Sequence, residues 1–201
     1  LVARLRHPGI VAVYTAGEAE GLLYFVMELV EGESLRDRIA RDGRVPAAEA
    51  AVTLRDLARA LAYAHAQGVV HRDVKPENVL IDGASGRALL VDFGVARAFS
   101  ATGDARATLT GFVLGSPKYM SPEQASGDRE IDGRSDVYSL GLVGYEMLSG
   151  AAAVSATTPG AALVAQITLR PEPRAARAPD APPGLVAALE RAIEKNPDDR
   201  W

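Results

Sequence analysis

The sequence predicts an α+β fold with a helical bulk, and three observations point to it. Two pairs of short β-rich runs, 10–14 with 22–29 and 79–81 with 88–91, supply little sheet. An apolar stripe at three- and four-residue spacing runs up to Gly68. A later stretch, 135–149, is apolar on every side, as a central buried helix is.

Taken in order, residues 1–6 read as the last turns of a helix halted by Pro8-Gly9. The runs 10–14 and 22–29 flank the acidic, Gly-containing segment 17–21 and read as an antiparallel pair. Such a pair is marginal alone and leaves its edges open. Ser34 is the expected N-cap of a helix over 35–41, and Pro46 stands where a second helix starts. In that second helix Leu54, Leu57, Ala58, Leu61, Ala64 and His65 form the apolar face. The runs 79–81 and 88–91 enclose a Gly-containing turn and make a hairpin. Residues 100–121 show no periodicity, and a loop of that length inside a domain points to a functional role or to disorder. Gly150 closes the helix that carries Val137, Leu140, Leu142, Val143, Met147 and Leu148. The five prolines in 171–183 mark a connector, and 185–193 is a final amphipathic helix. There are no internal repeats.

At 201 residues the chain fits one large domain or most of one, and 48% apolar against 24% charged residues is the composition of a folded chain. A net charge of -4 gives no general pull toward nucleic acid or an anionic membrane. The absence of cysteine excludes disulfides, thiolate metal sites and thiol nucleophiles, and fits a reducing, cytoplasmic compartment. No apolar run reaches the roughly 18 residues of a membrane span, so a tether or sensor domain would lie outside this chain. The start at Leu1 and the end at Trp201 are both expected to be cut points.

The chemistry concentrates in His71-Arg72-Asp73-Val74-Lys75-Pro76-Glu77-Asn78. A carboxylate and an amide five residues apart, in a loop between helix and strand, can converge: Asp73 to take a proton from a hydroxyl, Asn78 to offer an oxygen to a hard cation. Asp92, at the end of the hairpin and followed by Phe93-Gly94, adds a second oxygen. Mg²⁺ suits such a pair because it takes few protein ligands and completes its octahedron with phosphate and water. Lys75 can neutralise charge on a transferred phosphoryl group. Each residue alone has a plain reading, since a lone loop Asp is normally a turn residue or cap. The ordered combination is what carries weight.

These motifs resemble the catalytic loop and the Asp-Phe-Gly of eukaryotic-type protein kinases, with wording close to the bacterial Ser/Thr branch. The resemblance implies a protein-kinase-like fold, mostly the helical C-lobe with a remnant of the N-lobe sheet. Residues 1–32 would hold the end of the regulatory helix, two strands and the hinge, and 33–201 the C-lobe. It implies ATP and Mg²⁺ as cofactors and Ser/Thr-containing proteins as substrates. Asp73 becomes the catalytic base, Asn78 and Asp92 the metal ligands, and Lys75 the γ-phosphate contact. Val74 replaces the commoner Leu, and Lys75 favours Ser/Thr over Tyr specificity. Ser121-Pro122-Glu123 resembles Ala-Pro-Glu, and Asp136-Val137-Tyr138-Ser139-Leu140-Gly141 the start of the central helix, where Asp136 would bond the loop backbone. Arg200 would pair with Glu123. The backbone of Glu28 and Val30 would meet adenine beside Met27, with Leu80 beneath the ring, although Met27 and Leu80 also read as ordinary core. His71, Phe93, Val2 and Val13 would align as the regulatory stack.

Arg72 offers a fork for a phosphate on the activation segment, where Thr108 and Thr110 are the expected sites and Ser100 and Thr102 weaker ones. A loop Arg that pairs with any nearby carboxylate reads equally well. Ser116 is expected to bond Asp73 and Lys75. The chain contains no Gly-rich loop, no Val-Ala-Ile-Lys strand and no helix Glu to pair with that Lys, so about the first quarter of a kinase domain is expected to be missing. Three readings follow: a protein kinase seen as a fragment, weak or inactive by itself; a non-catalytic kinase-like binding module; and a small-molecule phosphotransferase. Intact Asp73, Asn78 and Asp92 count against the second, and the Ser-Pro-Glu segment against the third.

Overall fold

The computed structural model describes residues 5–20, 22–93, 116–171 and 180–201. An antiparallel ribbon of β1 (Val13–Ala19) and β2 (Leu22–Met27) comes first. The strand expected at 10–14 divides in two. Ile10 and Val11, 6% and 5% exposed, go to the core and pair with Leu90, while the ribbon is built from 13 onward and turns at Glu20, whose φ is +53°. Of the helix expected at 1–6 only Leu5 and Arg6 are described, and both are irregular.

A second sheet has the order β3 (Gly32–Ser34), β4 (Val79–Asp82), β5 (Ala88–Leu90), all antiparallel, with Val79 opposite Leu90. Ser34 caps α1 (Leu35–Asp42) by accepting the Asp37 N–H at 3.1 Å, which is the predicted cap. Pro46 precedes α2 (Ala47–Ala66). Its buried positions are Ala50, Thr53, Leu54, Leu57, Ala60, Leu61 and Ala64, a stripe of period 3.6. Ala58, expected on that stripe, is exposed because it lies one position off it. Further along the chain come α3 (Pro122–Ser126), α4 (Gly133–Ser149), α5 (Pro159–Thr168) and α6 (Pro183–Ala192).

The core centres on α4, which packs against α2 on one side and α6 on the other. Leu57, Leu142, Val143 and Met147 are at most 1% exposed. Burying such side chains contributes about 1.5–3 kcal/mol each. Gly141 lets α6 approach closely, since a Cβ there would lie 2.6 Å from Ile193 Cγ2 and 3.0 Å from Ala192 Cβ. Val137 and Leu140, expected inside, are half-buried. Helices α3 and α5 have no counterpart in the sequence reading. In α5 the reason is visible: it buries Ala162, Ala165 and Gln166 and leaves Val164 (60% exposed) and Ile167 (43%) outside, so its hydrophobic signal points the wrong way. No helix among the described residues is long and apolar enough to cross a membrane.

Candidate active site

Asp136 anchors the loop from the first turn of α4. Its wholly buried carboxylate accepts the backbone N–H of His71 at Oδ2 and of Arg72 at Oδ1, both at 2.8 Å, and His65 Nε2 lies 2.7 Å from Oδ2. Gly133 makes room for that imidazole, because a Cβ there would lie 2.5 Å from His65 Nδ1. Arg72 sits in the left-handed region at φ +70°, a conformation that costs about 1–3 kcal/mol in a non-glycine residue unless its surroundings impose it. They do: Asp136 takes its N–H, and Gln124 Nε2 donates to its carbonyl at 2.8 Å. Asp136→Asn should destabilise the fold by about 1–3 kcal/mol in urea denaturation, because an amide accepts at one atom only and strands a buried N–H. An unchanged midpoint would refute this.

His71 is buried against Phe93, ring centroids 4.5 Å apart. Its Nε2 donates to Val91 O at 2.9 Å, and its Nδ1 accepts the Asp73 N–H at 3.3 Å. That pattern requires the neutral tautomer, and burial lowers its pKa against the upward pull of Asp136. His71 thus ties the loop before Asp73 to the strand end before Asp92. Val2, expected in the same stack, lies outside the described residues.

The spacing of Asp73, Lys75 and Asn78 does bring them together. Asp73 Oδ2 accepts from Lys75 Nζ at 2.6 Å and from Asn78 Nδ2 at 3.0 Å, and Asn78 Nδ2 also lies 2.9 Å from Asp73 O. A short 3-10 turn, Pro76–Asn78, folds Asn78 back over the loop. The amide hydrogens of Asn78 thereby hold Asp73, and its Oδ1 is the atom left to meet a cation. Val91 N–H donates to Asn78 O at 3.1 Å, so Asn78 and Asp92 sit at the same end of the hairpin. Asp92 has φ +62°, a second non-glycine residue in the left-handed region at this site.

Leu80 is half-buried between the buried Val79 and Ile81, so the pleat turns it to the opposite face of β4. Glu28 and Val30 lie in the link between β2 and β3. Glu28 N–H already donates to Ala12 O at 2.8 Å, so its carbonyl is what it has to offer. Met27 is 39% exposed and is not core. Arg72 directs one guanidinium nitrogen to Ile131 O at 3.5 Å. Thr108, Thr110, Ser100 and Thr102 lie outside the described residues. Ser116 gives its carbonyl to the Tyr119 N–H at 3.0 Å, and among the described residues the Asp73 carboxylate bonds Lys75 and Asn78 rather than the Ser116 hydroxyl.

Two clusters brace this loop from outside. Arg200 and Glu123 form a bidentate pair at 2.8 and 2.9 Å, as the sequence resemblance implies. Arg36 was not singled out by the sequence. It bonds Glu77 at 2.8 Å and the buried Glu146 at 2.6 Å, and the Tyr119 hydroxyl joins both Arg36 and Glu146. Burial, and then the neighbouring Glu146, push the Tyr119 hydroxyl well above its ordinary pKa, so it stays a donor. Local spacing holds no signal for this cluster, whose members come from α1, the loop, the 116–121 segment and α4.

A family model described as protein kinase domain matches residues 1–201. The chain is 43% identical to the serine/threonine-protein kinase PknB of Mycolicibacterium smegmatis over 99% of its own length and 32% of the relative's. It is 44% identical to PknA of Mycobacterium tuberculosis, covering 99% of this chain and 46% of PknA. It therefore spans about a third to a half of the curated relatives it matches. The crystal structure of the Mycobacterium tuberculosis PknI kinase domain superposes with a TM-score of 0.78 at 32% identity, over all of this chain and 69% of that one. With the loop, the hairpin and the Glu123–Arg200 brace arranged as described, this chain belongs to the protein kinase domain family.

Proposed function

We propose that the protein transfers the γ-phosphoryl group of ATP to Ser or Thr hydroxyls of protein substrates. The observation that carries this reading is the Asp73 carboxylate held at once by Lys75 and Asn78. Asp73 accepts the proton of the incoming hydroxyl as its oxygen attacks phosphorus and the bond to the ADP oxygen breaks. Lys75, 2.6 Å from Asp73, places a cation where the transferred group gathers charge. Asn78 Oδ1 and the Asp92 carboxylate are hard oxygen donors at one end of the hairpin and fit Mg²⁺, which when bound neutralises phosphate oxygens. The Glu28 carbonyl and the Val30 backbone meet adenine, with Leu80 beneath the ring. Residues 1–32 serve as the nucleotide-side part and 33–201 as the substrate-side lobe, in the cytoplasm.

Arg72 receives a phosphate carried by Thr108 or Thr110. Its backbone is pinned by Asp136 and Gln124, so a new ion pair there acts directly on the loop that presents Asp73. The test is incubation of the intact protein with Mg-ATP and an unphosphorylated Ser/Thr protein, followed by mass spectrometry. Phosphate is expected on substrate Ser or Thr and on Thr108 or Thr110. Transfer confined to small-molecule hydroxyls, or none at all, would sink the reading. Active protein without phosphate at Thr108 or Thr110 would sink the regulatory part alone. The 201 residues by themselves should bind ATP weakly and transfer poorly.

A further inference from the structure

Residues 6–12 form a strap between α2 and the β1–β2 ribbon, and an imidazole closes its first turn. His7 Nδ1 accepts the Gly9 N–H at 3.0 Å, and the His7 carbonyl accepts the Ile10 N–H at 2.9 Å. The ring stacks on Tyr63 of α2, with centroids 5.2 Å apart and planes at 27°, while the Tyr63 hydroxyl accepts the Arg6 N–H at 3.2 Å. From this turn the backbone leads to the candidate nucleotide side. Gly9 O accepts from Leu90 N and Val11 N donates to Leu90 O, both at 2.9 Å, and Ala12 O accepts the Glu28 N–H at 2.8 Å. The strap that His7 closes is thus the strap that holds Glu28.

That turn needs the neutral ring. Nδ1 accepts only when the proton sits on Nε2; in the imidazolium both nitrogens are donors, and an Nδ1–H would face the Gly9 N–H. Gly9 has little room to yield, because it is buried against α2, where a Cβ on it would lie 3.3 Å from Ala60 Cβ. Nothing nearby compensates the cation with a bond from an acid. Tyr63 faces the ring from α2 without charge, and Arg87, which donates to Pro8 O at 2.9 Å, faces it from the turn before β5. Asp56 of α2, whose carbonyl underlies Gly9, pairs its carboxylate with Arg55 at 3.0 Å. Burial, and then the Arg87 charge, lower the His7 pKa from its ordinary 6.5.

We infer that His7 is a proton-operated clip for the nucleotide side: neutral, it closes the 7–10 turn and steadies the strap that holds Glu28; protonated, it opens that turn and weakens ATP binding. The inference rests on the phosphotransfer reading, in which the backbone of Glu28 and Val30 meets adenine. It adds to that reading a pH-dependent control remote from the reacting atoms. The clip is closed above the ordinary value of 6.5 and opens as pH falls below it and on through the lower folded value.

The test measures Kd for ATP and amide hydrogen exchange between about pH 5 and 8 in the intact protein, for wild type, His7→Asn and His7→Phe. Asn offers an uncharged oxygen to the N–H two residues on at every pH, and Phe keeps an aromatic ring for Tyr63 without an acceptor. At the alkaline end wild type and His7→Asn should bind ATP alike, and His7→Phe about three- to tenfold more weakly, the range of a single hydrogen bond. At the acid end wild type should fall to the level of His7→Phe while His7→Asn stays above it. The ratio of wild type to His7→Asn separates His7 from every other group that titrates, ATP and His71 included. Protection of the Gly9 and Ile10 amides should follow the same order. A ratio that stays constant across the range overturns the inference, as does His7→Phe that binds ATP like wild type at the alkaline end. If wild type transfers no phosphate, the phosphotransfer reading fails separately, and equal protection of Gly9 in wild type and His7→Asn at the acid end then overturns the clip as well.

Discussion

Asp73→Asn is expected to lower kcat for transfer to protein by about 10²–10⁴-fold, the range a positioned general base contributes. The substitution keeps the size of the side chain and removes its charge. The Asp73 carboxylate is the acceptor for both Lys75 Nζ and Asn78 Nδ2. Both donors meet the same oxygen, Oδ2, so an amide oxygen in its place still accepts both bonds and the substitution removes the charge rather than the arrangement. The loss therefore comes chiefly from the missing proton acceptor, with the lost negative charge beside Lys75 as a second source. ATP affinity should change little, since the proposed adenine contacts lie on β2, β4 and the link between β2 and β3. Steady-state kinetics on the intact protein measures both parameters. A kcat within about twofold of wild type would show that Asp73 is not the base.

Arg200→Ala should cost about 3–5 kcal/mol of stability, the loss expected when one partner of a buried pair is removed. The Arg200 side chain is 0% exposed and that of Glu123 only 11%. All five guanidinium hydrogens have acceptors: the two oxygens of Glu123, and the carbonyls of Glu194, Lys195 and Arg134 at 2.7, 2.9 and 3.0 Å. Removing Arg200 leaves the Glu123 charge and three carbonyls without their partner. Urea denaturation reads the loss directly, and Glu123→Gln with Arg200 intact should cost less, since the amide still accepts once. A loss under about 1 kcal/mol would mean the site is solvated like a surface pair.

The same pair shapes the acid side of the stability curve. Burial pushes the Glu123 carboxyl up, but its bonds from Arg200 and Ser135 outweigh that and hold it below its ordinary value of 4.5. The unfolded chain then binds this proton more readily, so stability falls as pH drops below 4.5 and on through the lower folded value. His71 acts in the same direction at higher pH. Its buried, neutral ring has a lowered pKa, so stability begins to fall below its ordinary 6.5.

Much of the site was legible because it is local. Asp73, Lys75 and Asn78 lie within six positions, and a proline-led 3-10 turn is enough to converge them. The N-cap at Ser34, the stripe on α2 and the hairpin that carries Asp92 follow from propensity and period. Where the reading slipped, packing overrode the local signal. Ile10 left its expected strand for the Leu90 edge, and α5 turned its small residues inward.

The sequence by itself determined which residues are the candidates for the chemistry, how closely they converge and the motif order that identifies the family, since dihedral preferences and short spacings act over a few residues. Only the tertiary structure decided what holds those residues still. Arg36 meets Glu77 and Glu146 across separations of 41 and 110 positions, and Gln166 reaches Lys118 across 48. Such contacts depend on how helices pack, and a buried polar side chain carries no periodic signature by which its distant partner can be read.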